Sequence, residues 1–459
     1  MKKEKLYVLE QMPITRSIIH LALPSVLSML VNILYNLTDT FFIGKLNDPY
    51  QVAAVSISLP LFTFQMAIAG IFGNGGGSYL SRLLGKKQYQ EAHETATTAI
   101  FSSAASSILL AILGILSIPL FLKAVGASGM VKAPAYDYMF IILLGTPFIM
   151  LKFTLVQLLR AEGAAKAAMA GLFIGTGVNI ILDPLFIFVF KMGVTGAAVA
   201  TVIGQGLGAS FYLYYYLSGR SLASPGLKYL CFKLETYRQI LYIGIPASLS
   251  QIMMSIGNTI SYKLAAGFGD HAVAALGVAA RVFSIPIFVF IGISVGVQAL
   301  IGYNYGARNY PRMKKAIRTS ITISLWLGAF FTLMFALLPA QLITAFIKDV
   351  KIMELGTVIL EAYVFAIPMA AIGMILMASL QAMGKALPAL IVALSRQGIA
   401  YIPLIYLLTR LYGFEGLVFA LPLADYLTTG ISFGFVWFIL RGLKTQGLGP
   451  VAERMPETL

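Results

Sequence analysis

The sequence is poor in charge. Only 11% of its 459 residues are charged and 59% are hydrophobic, whereas a soluble domain has about 25% charged and 45–50% apolar residues. Apolar runs of the ~20 residues needed to cross a bilayer recur along the whole chain. The composition therefore excludes an ordinary soluble protein. The apolar runs use so much of the length that no separate catalytic domain is expected.

Cysteine and histidine are also scarce. The single Cys231 excludes an internal disulfide and argues against a thiolate metal cluster, so it is interpreted as a small residue of a connecting loop. The three histidines lie far apart and suggest neither a metal centre nor a histidine-based catalytic site. No cofactor and no enzymatic activity are expected.

Apolar runs between polar breaks predict twelve membrane-spanning helices. The predicted spans are 17–44, 52–80, 92–120, 134–159, 167–190, 193–218, 239–265, 274–302, 315–341, 354–380, 387–409 and 414–440. Glu162 lies close to the end of one span and is expected to be solvated.

The basic residues between the spans are unevenly distributed. With a cytoplasmic N-terminus, the inner segments carry 22 Lys and Arg residues and the outer segments carry eight. Cytoplasmic loops of membrane proteins have such an excess. The sequence thus predicts a multi-pass protein of the cell membrane with both termini in the cytoplasm. The net charge of +15 is attributed to this topology, and no nucleic-acid partner is expected.

The two halves of the chain resemble each other at an offset of about 221 residues. Matching positions are Pro24 and Pro246, Asp48 and Asp270, Gly75 and Gly296, Gly85 and Gly306, Pro147 and Pro368, and Gly163 and Gly384. Six spans per half give both halves the same orientation, which predicts two parallel six-helix lobes around a central cavity. The predicted all-α membrane protein has an N-terminal lobe at 1–220, a cytoplasmic linker at 221–237, a C-terminal lobe at 238–445 and a cytoplasmic tail at 446–459.

Charged side chains inside a membrane span are costly and usually face a cavity or a partner. The first span has a polar face formed by Asn32, Tyr35, Asn36 and Asp39. In the fifth span, Asn179 lies one turn before Asp183, and Pro184 follows. At 1.5 Å of rise per residue, Asp39 and Asp183 lie roughly 9–12 Å below the outer edge, at a similar depth to Thr201 in the sixth span. These oxygens are candidates for one cation or proton site.

Local interactions are an alternative explanation. Asp39 could cap or pair near the headgroups, and Asp183 could form a packed polar pair with Asn179. The first half offers one deep basic residue as a possible partner, Lys152, which could instead extend toward the membrane surface near Arg160.

The second half lacks a matching carboxylate pair. Ser261 occupies the repeat position of Asp39, and Leu404 that of Asp183. Three other charged residues lie in its spans: Arg281, Arg396 and Asp425. They are interpreted either as a salt-bridged pair that holds helices together or as cavity-facing charges that help to select substrates.

Several stretches resemble the multidrug and toxic compound extrusion family, MATE. They are 38–44, 159–163, 182–188, 193–201 and 296–307. Their order and spacing extend from about residue 15 to 440 and are most similar to prokaryotic members of the branch that includes the DNA-damage-inducible type. The resemblance implies an antiporter that exports amphipathic, often cationic drugs in exchange for inward H⁺ or Na⁺ by alternating access. It is expected to act as a monomer in the lipid bilayer.

The resemblance also implies residue roles. The family's cation site falls here on Asp39, Asn179, Asp183 and Thr201, with Ala197 contributing backbone. Pro24 and Tyr35 match positions tied to a rearrangement of the first helix. The candidate substrate-cavity residues are Asn32, Asn36, Arg281, Arg396 and Asp425. Two carboxylates in a low-dielectric lobe interact strongly, so one is expected to exchange a proton near neutral pH.

A flippase for lipid-linked saccharides is the alternative, because distant relatives share the two-lobed plan. Such a protein needs basic residues in its cavity, for which Lys152, Arg281 and Arg396 are candidates. A membrane-embedded enzyme would need a metal cluster or a nucleophile with a base, and the sequence suggests neither. A passive channel is disfavoured because the carboxylates occur in one half only.

Overall fold

The computed structural model describes residues 2–127 and 129–445, so the predicted tail at 446–459 lies outside the described residues. The first half contains α1 (Lys2–Glu10), α2 (Ile14–Gly44), α3 (Pro49–Gly85), α4 (Tyr89–Ala124), α5 (Lys132–Leu144), α6 (Thr146–Ala161), α7 (Ala165–Pro184) and α8 (Gly193–Leu217). The second half contains α9 (Leu234–Ala266), α10 (Asp270–Gly306), α11 (Tyr310–Leu337), α12 (Pro339–Thr344), α13 (Val350–Ala382), α14 (Ala386–Leu394) and α15 (Tyr401–Thr445). Described residues 2–127 and 129–445 form no β-strand.

The described residues contain twelve spans, as predicted. Ten helical stretches are long and apolar enough to cross a membrane, and α5 and α6 together form one more, bent by 50°. One of the ten, Ala386–Leu443, has 58 residues and would be roughly 87 Å long as a straight helix, far longer than the ~30 Å bilayer core. Gly413 interrupts it with φ 61° and ψ −134°. This stretch therefore forms two spans.

The fourth span departs from the prediction of one continuous helix at 134–159. It breaks at Gly145, where a Cβ atom would stand 2.2 Å from the side chain of Val202 on α8. Pro147 then lies in the first turn of α6, where its missing N–H costs no helical hydrogen bond. Glycine at this position thus allows α8 to pack closely against the bend.

Glycines join the two lobes in a symmetric way. A Cβ on Gly85 of α3 would stand 1.9 Å from the carbonyl oxygen of Tyr303, and one on Gly306 of α10 would stand 2.1 Å from that of Arg82. Gly85 is related to Gly306 by the repeat offset, and Arg82 is related to Tyr303 by the same offset. Helices α3 and α10 both end at this contact and so run toward the same end of the bundle. The lobes are therefore related by an axis that runs along the bundle, which confirms the predicted parallel repeat.

The prediction of a solvated Glu162 is wrong, because the unpredicted helix α1 covers this residue. Glu162 is fully buried. Its Oε1 accepts a hydrogen bond from Lys5 Nζ at 2.8 Å, and its Oε2 accepts from Ser221 Oγ and the Leu222 N–H, both at 2.6 Å. This network ties α1 and the start of the linker to the N-terminal lobe.

Helix α1 also contacts the C-terminal lobe. Asn304 donates to the carbonyl oxygen of Leu9 at 3.1 Å, and Arg312 donates to that of Met12, just beyond the end of α1, at 2.6 Å. We call the end of the bundle that carries α1 the N-terminal face. The symmetric contacts of Gly85 and Gly306 lie at this face too, so the two lobes are closed against each other there.

Candidate functional site

Two glycines bring α7 and α8 together near the predicted ion site. A Cβ on Gly204 would stand 2.5 Å from the Gly175 carbonyl oxygen, and one on Gly175 would stand 2.6 Å from the Gly204 carbonyl oxygen. Only residues without a side chain permit such a backbone approach. Asn179 follows Gly175 by one helical turn, and Thr201 precedes Gly204 by about one turn, so this contact places them opposite each other.

The predicted polar residues meet at this junction. Asn179 Nδ2 donates to Asp183 Oδ1 at 3.2 Å and to Thr201 Oγ1 at 3.5 Å. The Tyr35 hydroxyl on α2 lies 3.5 Å from Thr201 Oγ1. Asp39, one turn beyond Tyr35, acts electrostatically on Asp183. Helices α2, α7 and α8 therefore contribute to one group of polar side chains, which we call the ion cluster.

Backbone features position the remaining parts of the cluster. Pro184 cannot donate to the carbonyl oxygen of Ile180, and a π-helical turn, Leu185–Val189, follows it directly. Ala197 is buried one turn before Thr201.

The start of α8 is held by one side chain from the first turn of α3. Gln51 Oε1 accepts from the Val194 N–H at 2.9 Å, and Gln51 Nε2 donates to Asp48 Oδ2 at 2.9 Å. Asp48 is the N-cap of α3 and also accepts from the Tyr50 N–H. The hydrogen bond from Gln51 lowers the pKa of the Asp48 carboxyl below its usual value, and Gln51 links α3 to the helix that carries Ala197 and Thr201.

Three oxygen atoms of the cluster are buried without a hydrogen-bond partner: Asp39 Oδ1, Asn179 Oδ1 and Asp183 Oδ2. In the part of the chain that the structure describes, neither Asp39 nor Asp183 forms a salt bridge. A buried polar atom without a partner is costly. Carboxylate, amide and hydroxyl oxygens are the donors that hard cations prefer, so this set of atoms suits a proton or Na⁺.

Tyr138 is a member of this neighbourhood that the sequence analysis missed. It is buried on α5 and lies within electrostatic range of Tyr35, Asp39 and Asp183. In the sequence it is one of two tyrosines near the start of an apolar run, with no spacing relation to the polar faces of the other spans. Only the packing of α5 against the cluster identifies it.

Pro24 lies in the half of α2 that packs against the C-terminal lobe. A Cβ on Gly292 would stand 2.6 Å from the Cα of Val26, and one on Gly296 would stand 2.6 Å from that of Ala22. The N-terminal half of α2 is therefore fixed to α10, whereas the half with Tyr35 belongs to the ion cluster. Asn32 and Asn36 have no side-chain hydrogen bond to the cluster among the described residues.

The charged residues of the C-terminal lobe have separate environments. Arg396 Nε donates to Asp425 Oδ1 at 2.8 Å, which confirms the salt-bridge interpretation for this pair. Arg281 is exposed and has no ion pair among the residues described. Ser261, at the repeat position of Asp39, donates to the Gly257 carbonyl and shares a 2.7 Å hydrogen bond with Tyr401.

The prediction that Lys152 could extend toward the membrane surface is wrong. Its side chain is 7% exposed and lies between α7 and α8. A Cβ on Gly208 would stand 2.9 Å from Lys152 Cε, and one on Gly175 would stand 3.1 Å from Lys152 Nζ. The two glycines leave a slot that the lysine fills within the N-terminal lobe.

Comparison with known proteins agrees with the two-lobed geometry. A model of the MatE family matches residues 24–185 and again residues 246–407. The chain belongs to the MATE family. The two matches cover one lobe each, at nearly the offset of the sequence repeat, and the chain is accordingly a transporter and not an enzyme.

Full-length relatives and solved structures share this MATE architecture. The chain is 32% identical over 456 residues to the multidrug export protein MepA of Staphylococcus aureus strain MRSA252, with 99% of this chain and 100% of the relative covered. It is similar to a structure described as the outward-facing conformation of a multidrug resistance MATE family transporter of the MOP superfamily, with a TM-score of 0.87, 27% identity, and 93% of this chain and 96% of that chain covered. A crystal structure of a MATE in complex with MaL6 has a TM-score of 0.90 at 25% identity and covers 96% of this chain and 99% of that chain.

Proposed function

We propose that this MATE transporter exports amphipathic, often cationic organic compounds in exchange for inward H⁺ or Na⁺, with Asp39 and Asp183 as the coupling carboxylates. The observation that carries the proposal is the set of three buried, unpartnered oxygens on Asp39, Asn179 and Asp183. A bound cation or proton would satisfy these atoms. The multidrug export function named for the relatives supports drugs as the exported class.

The ion cluster has a direct mechanical link to the lobe interface. Pro24 removes the backbone hydrogen bond to the carbonyl of His20, so α2 is easily bent at this point. Beyond this point α2 carries Tyr35 and Asp39. Neutralising the carboxylates changes the electrostatic cost of keeping these residues against α7. Ion binding would thus bias α2 between two shapes and release the exported compound from the central cavity.

We also propose that the protein lies in the cell membrane with its N-terminal face in the cytoplasm. The excess of basic residues on that side supports this orientation, because the inner segments carry 22 Lys and Arg and the outer ones carry eight. With the lobes closed at the N-terminal face, the structure then corresponds to a state that is sealed toward the cytoplasm.

The flippase alternative needs several basic side chains in the central cavity. Of the three candidates, Lys152 fills a slot inside the N-terminal lobe, and Arg396 is paired with Asp425. Only Arg281 is exposed. This distribution favours export of organic cations over binding of a pyrophosphate group.

Purified protein in liposomes tests the proposal. A cationic dye is the first substrate, and proton and sodium gradients are imposed separately. Gradient-driven dye transport is expected for the wild type and for Asp137→Asn, which alters an exposed carboxylate on α5. Asp39→Asn is expected to abolish it. Full gradient-driven transport by Asp39→Asn would disprove the coupling role.

A further inference from the structure

Arg160 is a buried charge without a counterion at the interface of the two lobes. It lies in the last turn of α6, within the 159–163 motif that the proposed function does not use, and is 8% exposed. Its Nη1 donates to Gln157 Oε1 at 3.0 Å, and its Nε has no partner. Across the described residues, no carboxylate pairs with it. Buried charges are normally paired because an isolated one is very costly.

A small cavity adjoins Arg160. Its volume is about 20 Å³, and its walls come from α3 and α6 of the N-terminal lobe and from α10 of the C-terminal lobe. A cavity needs a volume of roughly 10–15 Å³ to hold one water molecule. The cavity therefore has room for one monatomic or water-sized species, and it exists only while the lobes are in contact.

The other polar walls offer N–H donors. Asn74 Oδ1 accepts a hydrogen bond from Gln157 Nε2, whereas Asn74 Nδ2 has no partner among the described residues. Gln298 Nε2 has only a 3.5 Å contact with Gln381 Oε1. The cavity walls include no carboxylate. An unpartnered amide N–H group, a weakly bonded one and a cationic guanidinium together favour an anion over a cation.

The positive charge is specific to one lobe. The repeat position of Arg160 is the neutral Gln381, whose carbonyl oxygen accepts a hydrogen bond from Ser78 across the same interface. The two lobes therefore carry a charged and an uncharged version of the same motif at their interface. Gln381 is neutral and needs no counterion, whereas Arg160 has none among the described residues.

We propose that this cavity binds one small monovalent anion of the size of chloride, held by Arg160 and by the side-chain amides of Asn74 and Gln298. The anion would supply the missing counterion. Because its ligands belong to both lobes, it would stabilise the arrangement that is closed at the N-terminal face. This inference does not depend on which ion drives transport.

Anomalous diffraction from the full-length protein crystallised with bromide in place of chloride tests the proposal. A bromide peak in the cavity is expected for the wild type and for Arg441→Gln, which changes an exposed arginine elsewhere. Arg160→Gln, which installs the residue of the repeat position, should lose the peak. Asn74→Leu should reduce its height while leaving the guanidinium in place.

The wild-type crystal alone can overturn the proposal, whether or not the variants fold. Density without an anomalous signal, from water only, would disprove the halide site. A peak of unchanged height in Arg160→Gln would also disprove it, because the guanidinium would then not be the counterion.

Discussion

The N-terminal and C-terminal lobes use the same crossing of helices in opposite ways. At the repeat offset, Gly175 corresponds to Arg396, and the helix that carries Gly204 corresponds to the one that carries Asp425. The glycine pair brings two backbones together, whereas the charged pair forms a salt bridge with a 2.8 Å N–O distance. One fold therefore accommodates either a close backbone contact or an ion pair at the same crossing of helices.

The same contrast holds around the ion cluster. Asp39 has a buried oxygen with no partner, whereas Ser261 at its repeat position is satisfied by Gly257 and Tyr401. Leaving a buried polar group unsatisfied costs about 1–3 kcal/mol. The N-terminal lobe retains this cost, which is understandable if a transported ion supplies the missing partner. At the repeat position in the C-terminal lobe, the serine hydroxyl has its partners and carries no such cost.

Exchange of Asp183 for the residue of its repeat position should have the largest effect. Asp183→Leu removes one of the two carboxylates, so gradient-driven dye transport in liposomes should fall to the level of liposomes without protein. Tyr401→Phe, a change on the equivalent face of the C-terminal lobe, should retain transport. Equal losses in both variants would remove the distinction between the lobes.

Breaking the salt bridge of the C-terminal lobe should damage stability and not coupling. Asp425→Asn leaves Arg396 with an incomplete partner, and removing one member of a buried pair costs about 3–5 kcal/mol. Since Arg396 retains some exposure, the lower end is expected. Thermal unfolding in detergent measures the loss, and the ratio of ions to dye transported should be unchanged. A changed ratio would place this pair in the coupling machinery.

A methyl group at the crossing of α7 and α8 should have a smaller effect. Gly204→Ala places a Cβ 2.5 Å from the Gly175 carbonyl oxygen, and overpacking of this kind costs about 1–3 kcal/mol. Both thermal stability and transport should decrease, because Asn179 and Thr201 move apart. In the control Gly434→Ala, no atom lies within 4 Å, so stability should be equal or slightly higher. Unchanged transport in Gly204→Ala would contradict the role of this contact.

Removing the Ser261 hydroxyl should have the smallest effect. Ser261→Ala loses hydrogen bonds to Gly257 and Tyr401, which should cost about 1 kcal/mol of stability. Transport under a proton or sodium gradient should be as in the wild type. Loss of gradient-driven transport would show that the C-terminal lobe also takes part in coupling.

The sequence predicts the local relations of the site well and the long-range ones poorly. Helical spacing places Asn179 and Asp183 on one face, and counting residues places Asp39 and Thr201 at a similar depth. Three features depend instead on tertiary packing: Tyr138 beside the cluster, the glycine slot around Lys152 and the cover of α1 over Glu162. The bend at Gly145 was also missed, since the approach of Val202 that requires glycine there involves a helix distant in sequence.

The number of coupling ions released when a cationic dye binds to the purified protein tests the central claim most directly. Protons are followed in weakly buffered solution and Na⁺ with a radioactive tracer. The account predicts ion release by the wild type and by Ser261→Ala, and no release by Asp39→Asn with dye binding still measurable. Wild-type ion release from Asp39→Asn would contradict a coupling site in the N-terminal lobe.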